Sequence, residues 1–194
     1  MPTQGWFPTP VYSDMLEGVE YDEVQQELFS AYEKLKFGQN PNWSRDTHEL
    51  NENAFNQDIL TKLKCKKFLT VLDTHLNLYL DQIGCTYTRK YRIDHSWFTK
   101  TKHGHHAHKH DHGSSDISGV YYLQTNEKDG NLLLQTPHQS LQSNWVYSII
   151  NQDTTFPLAQ GTIGLWPGNI VHGTETNKTQ HERISLSFNI RYER

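Results

Sequence analysis

Thr86-Tyr87-Thr88-Arg89-Lys90-Tyr91-Arg92-Ile93-Asp94-His95-Ser96-Trp97-Phe98 is where the periodicity of this 194-residue chain changes. Upstream, apolar residues recur at steps of three and four. Within the stretch, aromatic and β-branched residues take over, the composition that suits a pleated, half-buried strand. Strand-like stretches then follow at short intervals, over about 104–112, 117–125, 130–136, 144–150, 162–166, 169–175 and 183–192. Asp129-Gly130, Pro157, Pro167-Gly168 and Asn177 punctuate them. Many short strands divided by turn residues predict an antiparallel sandwich or barrel. The expected fold class is mainly β with N-terminal helices.

Upstream, residues 1–20 carry three prolines in the first ten positions and read as extended chain. Val24, Leu28, Tyr32 and Leu35 fall on one face of a helix expected from about Asp22 to Phe37, with Gly38 as its stop. Residues 38–56 are polar and read as a loop. From Gln57 to Ile83, Ile59, Leu60, Leu63, Phe68, Val71, Leu72, His75, Leu76 and Tyr79 form an apolar stripe on one long helix or two, ended by Gly84. No repeat or long low-complexity linker divides the chain. One domain is expected over 1–194, with an extended segment and helices over 1–84 and a β core over 85–194.

A net charge of -4 leaves no basic surplus for a phosphate backbone, so nucleic acid is not a favoured partner. No apolar run approaches the ~20 residues of a membrane span, and the N-terminus lacks the charged and apolar regions of a signal peptide. Cys65 and Cys85 match no thiolate metal motif and read as reduced thiols of a cytoplasmic protein. Mean hydropathy is low at -0.78, but 12% aromatic residues, five of them Trp, argue for a packed core. Trp97, Trp145 and Trp166 are candidates for a substrate groove, although each alone reads more simply as core.

Chemistry concentrates in two places. His103 to His112 holds six of the twelve histidines, and neutral imidazole is the commonest transition-metal ligand. His106, His108, His110 and His112 share a parity, so an extended segment would turn all four to one face. An i, i+2 pair lets one strand give two ligands to one cation. The plainer reading of His103, His105, His106 and His108 is solvated loop. Far downstream, His172 follows Gly164-Leu165-Trp166-Pro167-Gly168-Asn169-Ile170-Val171, a strand, tight turn and strand. Arg183 lies eleven residues beyond His172, and Ser185 shares its face in a strand. A guanidinium fork with a hydroxyl is a receptor for one carboxylate; the alternative is an ion pair of Arg183 with Glu182 or Glu175.

These residues bring a known family into view. The chain resembles the iron(II)- and 2-oxoglutarate-dependent oxygenases, and within them the small prolyl-hydroxylase-like branch that includes cyanophage versions. The similar stretches are Phe7-Pro8-Thr9-Pro10-Val11-Tyr12, Ser96-Trp97-Phe98, Gly104, His110-Asp111-His112, Asp116 to Leu123, Gly161 to Gly168, His172, and Arg183 to Asn189. The resemblance implies a double-stranded β-helix (a jelly roll, cupin-like) with helices outside one sheet. It implies a His-x-Asp pair on one strand and a distal His on another. The chain has no His-x-Asp in its tract, and the branch tends to show His-x-His here. The metal ligands implied are therefore His110, His112 and His172. His108 with His110, or a bulge bringing in Asp111 or Asp116, remain open.

The resemblance further implies Fe(II), 2-oxoglutarate and O2 as cofactors, with ascorbate as an accessory reductant. Arg183, Ser185 and Tyr122 would hold the far carboxylate of 2-oxoglutarate. The implied activity is hydroxylation of an unidentified peptide, protein or small-molecule substrate, with a prolyl residue as the family's suggestion. It would take place in the cytoplasm, that of the host if the chain is phage-encoded. The competing reading is a non-catalytic metal-binding jelly roll, or a cupin-like enzyme without 2-oxoglutarate. Arg183 and Ser185 discriminate against it, because a metal store needs no carboxylate clamp. Oligomeric state has no sequence signal.

Overall fold

The computed structural model describes residues 9–87, 89–137, 153–156 and 159–193. In chain order these form β1 (Tyr12–Met15), α1 (Gly18–Tyr32), β2 (Phe37–Gly38), β3 (Glu49–Asn51), a 3-10 turn (Ala54–Asn56), α2 (Ile59–Lys62), α3 (Lys66–Gln82) and β4 (Tyr91–Thr101). There follow β5 (Ile117–Gln124), β6 (Leu132–Gln135), β7 (Asp153–Phe156), β8 (Thr162–Pro167), β9 (His172–Thr174) and β10 (Arg183–Tyr192). The strands make a seven-stranded sheet in the order β1-β8-β5-β10-β4-β3-β2 and a three-stranded sheet in the order β7-β6-β9. Every strand pair is antiparallel.

β10 explains the layering. Its residues alternate between Arg183, Ser185, Ser187 and Asn189 on one face and Ile184, Leu186, Phe188 and Ile190 on the other. The apolar set joins Phe98, Tyr121, Ile163 and Leu165 of neighbouring strands and Leu28, Phe68, Leu72 and Leu76 of the helices in the main core. Full burial of such side chains contributes about 1.5–3 kcal/mol each. The opposite face looks between the sheets, where Val120, Tyr122 and Trp166 pack on Leu132, Leu134 and Phe156. The polar row Arg183, Ser185, Ser187 and Asn189 therefore lies on a buried face, with Asn189 accepting from Ser118 Oγ at 3.0 Å.

The helices are tied down by side chains that satisfy their free N–H groups. Asp58 caps α2, accepting from the N–H of Leu60 and of Thr61, while the Ser96 hydroxyl of β4 donates to the same carboxylate at 2.6 Å. Glu27 of α1 accepts from the N–H of Lys67 and Phe68 at the start of α3, at 3.1 and 2.9 Å.

Several boundaries differ from the sequence expectation. α1 ends at Tyr32 rather than Phe37, because Phe37 and Gly38 turn to pair with Asn51 and Leu50. Gly38 is thus a strand residue, and 38–56 is not wholly loop. The second helical stretch is two helices, broken where Lys64 takes a positive φ of 59°; Gly84 does end it, at φ 70°. β4 begins at Tyr91, since Arg89 reaches back to Asn77 and Asp81 of α3. The expected strand over 104–112 is irregular chain touching its neighbours through isolated bridges. The expected strand over 144–150, with Trp145, lies outside the described residues, as do Phe7, Pro8 and Pro157. Both cysteines are free, with Cys65 buried at the head of α3.

Candidate metal and cosubstrate site

The histidine tract is laced between two partners. On one side His110 and His172 exchange backbone hydrogen bonds at 2.9 and 2.8 Å, the His112 N–H donates to Gly168 C=O at 2.8 Å, and Thr174 N–H donates to Ala107 C=O at 3.1 Å. On the other, His106 N–H donates to Asp46 C=O at 2.9 Å and His48 N–H to His106 C=O at 3.0 Å. The approach to β9 is close enough to need Gly173. A Cβ there would lie 2.9 Å from the Ala107 carbonyl oxygen and 3.2 Å from the Lys109 nitrogen.

An antiparallel pair that exchanges both backbone hydrogen bonds presents its two side chains on one face. His110 and His172 do so, and His112 joins them two residues on. Ring centroids stand 4.5 Å apart for His110–His172, 5.0 Å for His110–His112 and 5.1 Å for His112–His172. One nitrogen from each ring lies within 4.8 Å of the other two. Two of the tautomers are fixed by backbone. His110 Nδ1 donates to the His108 carbonyl at 2.7 Å and His172 Nδ1 to the Ile170 carbonyl at 2.9 Å. A carbonyl only accepts, so these Nδ1 atoms carry the protons and each Nε2 keeps its lone pair for a cation. Burial, with the neighbouring His110, pushes His172 down to about 3 and His112 to about 4, which holds both rings neutral at physiological pH.

The structure separates the other candidates from this cluster. His108 turns away: its Nε2 meets Ser44 Oγ at 3.1 Å and its Nδ1 meets His106 Nε2 at 3.3 Å. Asp111 folds onto Gly113 N–H at 3.0 Å, and Asp116 accepts from Tyr192 N–H at 2.8 Å. The expectation that four histidines share a face therefore fails, because a bend at Lys109 splits them into two pairs.

A cavity of about 290 Å³ opens from this cluster into the space between the sheets. Arg183, Ser185 and Tyr122 all line it. Ser185 sits in register between Thr99 of β4 and Tyr122 of β5, so hydroxyls from three adjacent strands lie in one row. Tyr122 is buried and its phenol is pushed up by burial, so it remains a protonated hydroxyl. Arg183 is 2% exposed. Its Nη1 donates to the backbone carbonyls of Asp129 (3.2 Å) and Gly130, and its Nη2 to Thr101 Oγ1 at 3.4 Å. Its Nε has no hydrogen-bond partner among the described residues. Neither Glu182 nor Glu175 pairs with it: Glu182 accepts from Tyr32 and Glu175 from Asn131. Among the described residues no carboxylate lies within ion-pair distance of this guanidinium. A buried charge left that way is costly, unless a guest brings the opposite charge.

Residues 95–189 match the family model described as "Putative 2OG-Fe(II) oxygenase". Over that stretch, just under half of the chain, it is similar to the 2-oxoglutarate/iron(II) oxygenases. The chain shares its jelly-roll fold with solved structures at low identity. One is a prolyl-4-hydroxylase from Pseudomonas putida (13% identity, 94% of this chain and 93% of that one, TM-score 0.61). Another is HygX from Streptomyces hygroscopicus, solved with nickel and 2-oxoglutarate bound (15%, 95% and 83%, TM-score 0.60). A third is the epimerase SnoN from nogalamycin biosynthesis, described as alpha-ketoglutarate dependent (13%, 95% and 78%, TM-score 0.65). No curated protein matches the chain significantly in sequence. The cofactors that the family match gives are iron(II) and 2-oxoglutarate. The donor set fits them: a cluster of three imidazoles for the cation, and a buried guanidinium without an ion pair for the oxoacid. No helix of the described chain is long and apolar enough to cross a membrane.

Sequence reasoning missed part of this site. Trp43, His48 and Phe55 line the same cavity from the segment read as polar loop. His48 is buried, its Nδ1 has no hydrogen-bond partner among the described residues, and burial pushes the ring down to about 3. The available signal was the pair of large rings, Trp43 and Phe55, standing in an otherwise Asn-rich stretch.

Proposed function

We propose that residues 1–194 act as one catalytic unit, an iron(II)- and 2-oxoglutarate-dependent hydroxylase whose metal is held by His110, His112 and His172. When bound, the metal and oxoacid together supply activation of O2, coupling decarboxylation of 2-oxoglutarate to succinate with oxidation of a substrate C–H bond. The residues of the chain supply position. The carbonyls of His108 and Ile170 lock the tautomers of His110 and His172. Arg183 takes the far carboxylate of 2-oxoglutarate, with Ser185 and Tyr122 donating hydroxyls to it. Val120, Trp166 and Leu132 wall the cavity and keep water off the reacting centre. A peptidyl residue is the proposed substrate, with proline first because one neighbour of the same fold is a prolyl-4-hydroxylase.

The observation that carries this reading is the buried Arg183 facing the cavity without a carboxylate partner. It weighs against a metal store or a cupin-like enzyme without an oxoacid, since neither needs a guanidinium there. Anaerobic addition of Fe(II) and 2-oxoglutarate to metal-free protein tests it. A weak visible charge-transfer band is expected, together with succinate on admission of O2, and both should fail in Arg183→Ala. Undiminished 2-oxoglutarate binding by that variant overturns the assignment of the clamp.

A further inference from the structure

The stretch from Trp43 to Phe55 lies outside residues 95–189, yet it closes one side of the catalytic cavity. Its rings make an unbroken series of edge and tilted contacts. His48 and Trp43 have centroids 5.4 Å apart, Trp43 and Phe55 5.7 Å, and Phe55 and Trp97 5.6 Å. Trp97 in turn stands 5.6 Å from His112 of the metal cluster. The series thus runs from the cluster outward to Phe55, which is 41% exposed at the mouth. Leu50 and Ala54 pack behind Trp97 and Trp43 and fix the wall in place.

Two features give this wall a chemistry. His48 lines the cavity and is 7% exposed. Its backbone N–H donates to His106 C=O at 3.0 Å, which holds the residue in the wall, and its Nδ1 is shut off from solvent. A guest in the cavity therefore meets the ring at Nε2. Apart from its histidines, the cavity has two charged lining residues among the described ones, Asp111 and Arg183. Asp111 is exposed and turned to Gly113, and Arg183 is the clamp for the oxoacid. A charged substrate group against the aromatic wall would lose its hydration and find no counter-ion.

We propose that Trp43, His48, Phe55 and Trp97 form the substrate subsite of this oxygenase, a slot for an uncharged aliphatic group oriented by one hydrogen bond to His48 Nε2. The proposal rests on the reading of the site as an iron and 2-oxoglutarate centre, and it names the residues that choose the substrate. Aliphatic C–H bonds lie against aromatic faces at the end of the slot nearest the metal cluster, and a polar neighbour of the reacting group, such as an amide, meets His48. Phe55 borders the exit, where the remainder of a larger substrate continues into solvent.

Matched probes test this in the Fe(II)-loaded enzyme. Cyclohexanecarboxamide and N-acetylproline methylamide are uncharged rings carrying an amide; cyclohexanecarboxylate and free proline are their charged counterparts. The expected result is that the two amides accelerate succinate release from 2-oxoglutarate and quench tryptophan fluorescence, while the charged counterparts do neither. His48→Leu should raise KM for the amides about ten-fold with kcat changed much less, and His48→Gln, which keeps a hydrogen-bonding group, should recover most of the loss. Phe55→Ala, at an exposed position that leaves the core intact, should raise the same KM. Equal response to charged and uncharged probes overturns the proposal, as does no response to either or an unchanged KM in both His48→Leu and Phe55→Ala. The anaerobic Fe(II)–2-oxoglutarate band separates the two failures. If the band forms and the probes fail, the subsite alone is wrong; if no band forms, the underlying reading falls and the subsite with it.

Discussion

Replacing Arg183 by Met separates the two tasks of that side chain, and the expected numbers follow from its surroundings. In the unliganded protein two effects oppose. The variant leaves the carbonyls of Asp129 and Gly130 and the Thr101 hydroxyl without their donor, at about 1–3 kcal/mol each. It also removes a guanidinium buried without an ion pair, on which Asp129 acts only through space, a burden of several kcal/mol, and Met fills a similar length with apolar atoms. The unliganded melting temperature should therefore move by only a few degrees, in either direction. The liganded state is different. With Fe(II) present under anaerobic conditions, 2-oxoglutarate at about 100 times its Kd stabilises the wild type by about 2.7 kcal/mol. For a domain of this size that is about 5–10 °C. Removing two charge-assisted hydrogen bonds of about 1.5–3 kcal/mol each weakens binding at least a hundred-fold. The same oxoacid concentration then shifts the variant by about 1–2 °C or less. Calorimetry of both proteins, with and without 2-oxoglutarate, reads this directly. A full ligand shift in Arg183→Met refutes the claim that the guanidinium exists for the oxoacid, whatever happens to the unliganded protein.

Three further outcomes are expected. His172→Ala should lose metal-dependent stabilisation and succinate formation, whereas His108→Ala, which removes a ring turned toward Ser44, should keep both; metal titration and product analysis decide between them. Gly173→Ala should weaken metal binding by about 1–3 kcal/mol, since its Cβ would push the Ala107–Lys109 backbone away from β9 and carry His110 with it; metal competition with a calibrated chelator measures the change. Metal-free protein should lose stability as pH falls below about 6.5, the ordinary value of histidine. Folding holds His48 and His172 down to about 3 and His112 to about 4, so between those values the unfolded chain binds more protons than the folded one. Stability then rises with pH across that window, by up to about 1.4 kcal/mol per pH unit for each such group. Denaturant midpoints that stay flat from pH 7 to 4 would contradict it.

The elements most legible in the sequence were those whose pattern has one physical cause. β10 was placed at 183–192 because its alternation serves two buried faces, and β5 and β8 were placed nearly as well. The set His110, His112 and His172 was implied by the family resemblance rather than by spacing, and the three rings do come together. The tract itself was misread. Alternating histidines imitate a strand, but the local ladder is made only of isolated bridges, and the bend at Lys109 sends His106 and His108 elsewhere. The carbonyls that accept from Arg183 lie about fifty residues upstream and were not foreseen, because a backbone carbonyl leaves no mark in the residue types. Trp43, His48 and Phe55 were passed over because local polarity describes exposure along a segment. It does not describe which side of that segment a distant cavity will meet.

Anomalous diffraction at the iron edge, from crystals grown anaerobically with Fe(II) and 2-oxoglutarate, would locate the metal and the oxoacid together. One peak is expected, enclosed by the Nε2 atoms of His110 and His172 and a ring nitrogen of His112, with the oxoacid's free carboxylate on Arg183. A peak seated on His106 and His108, or an oxoacid tail turned away from Arg183, would contradict it.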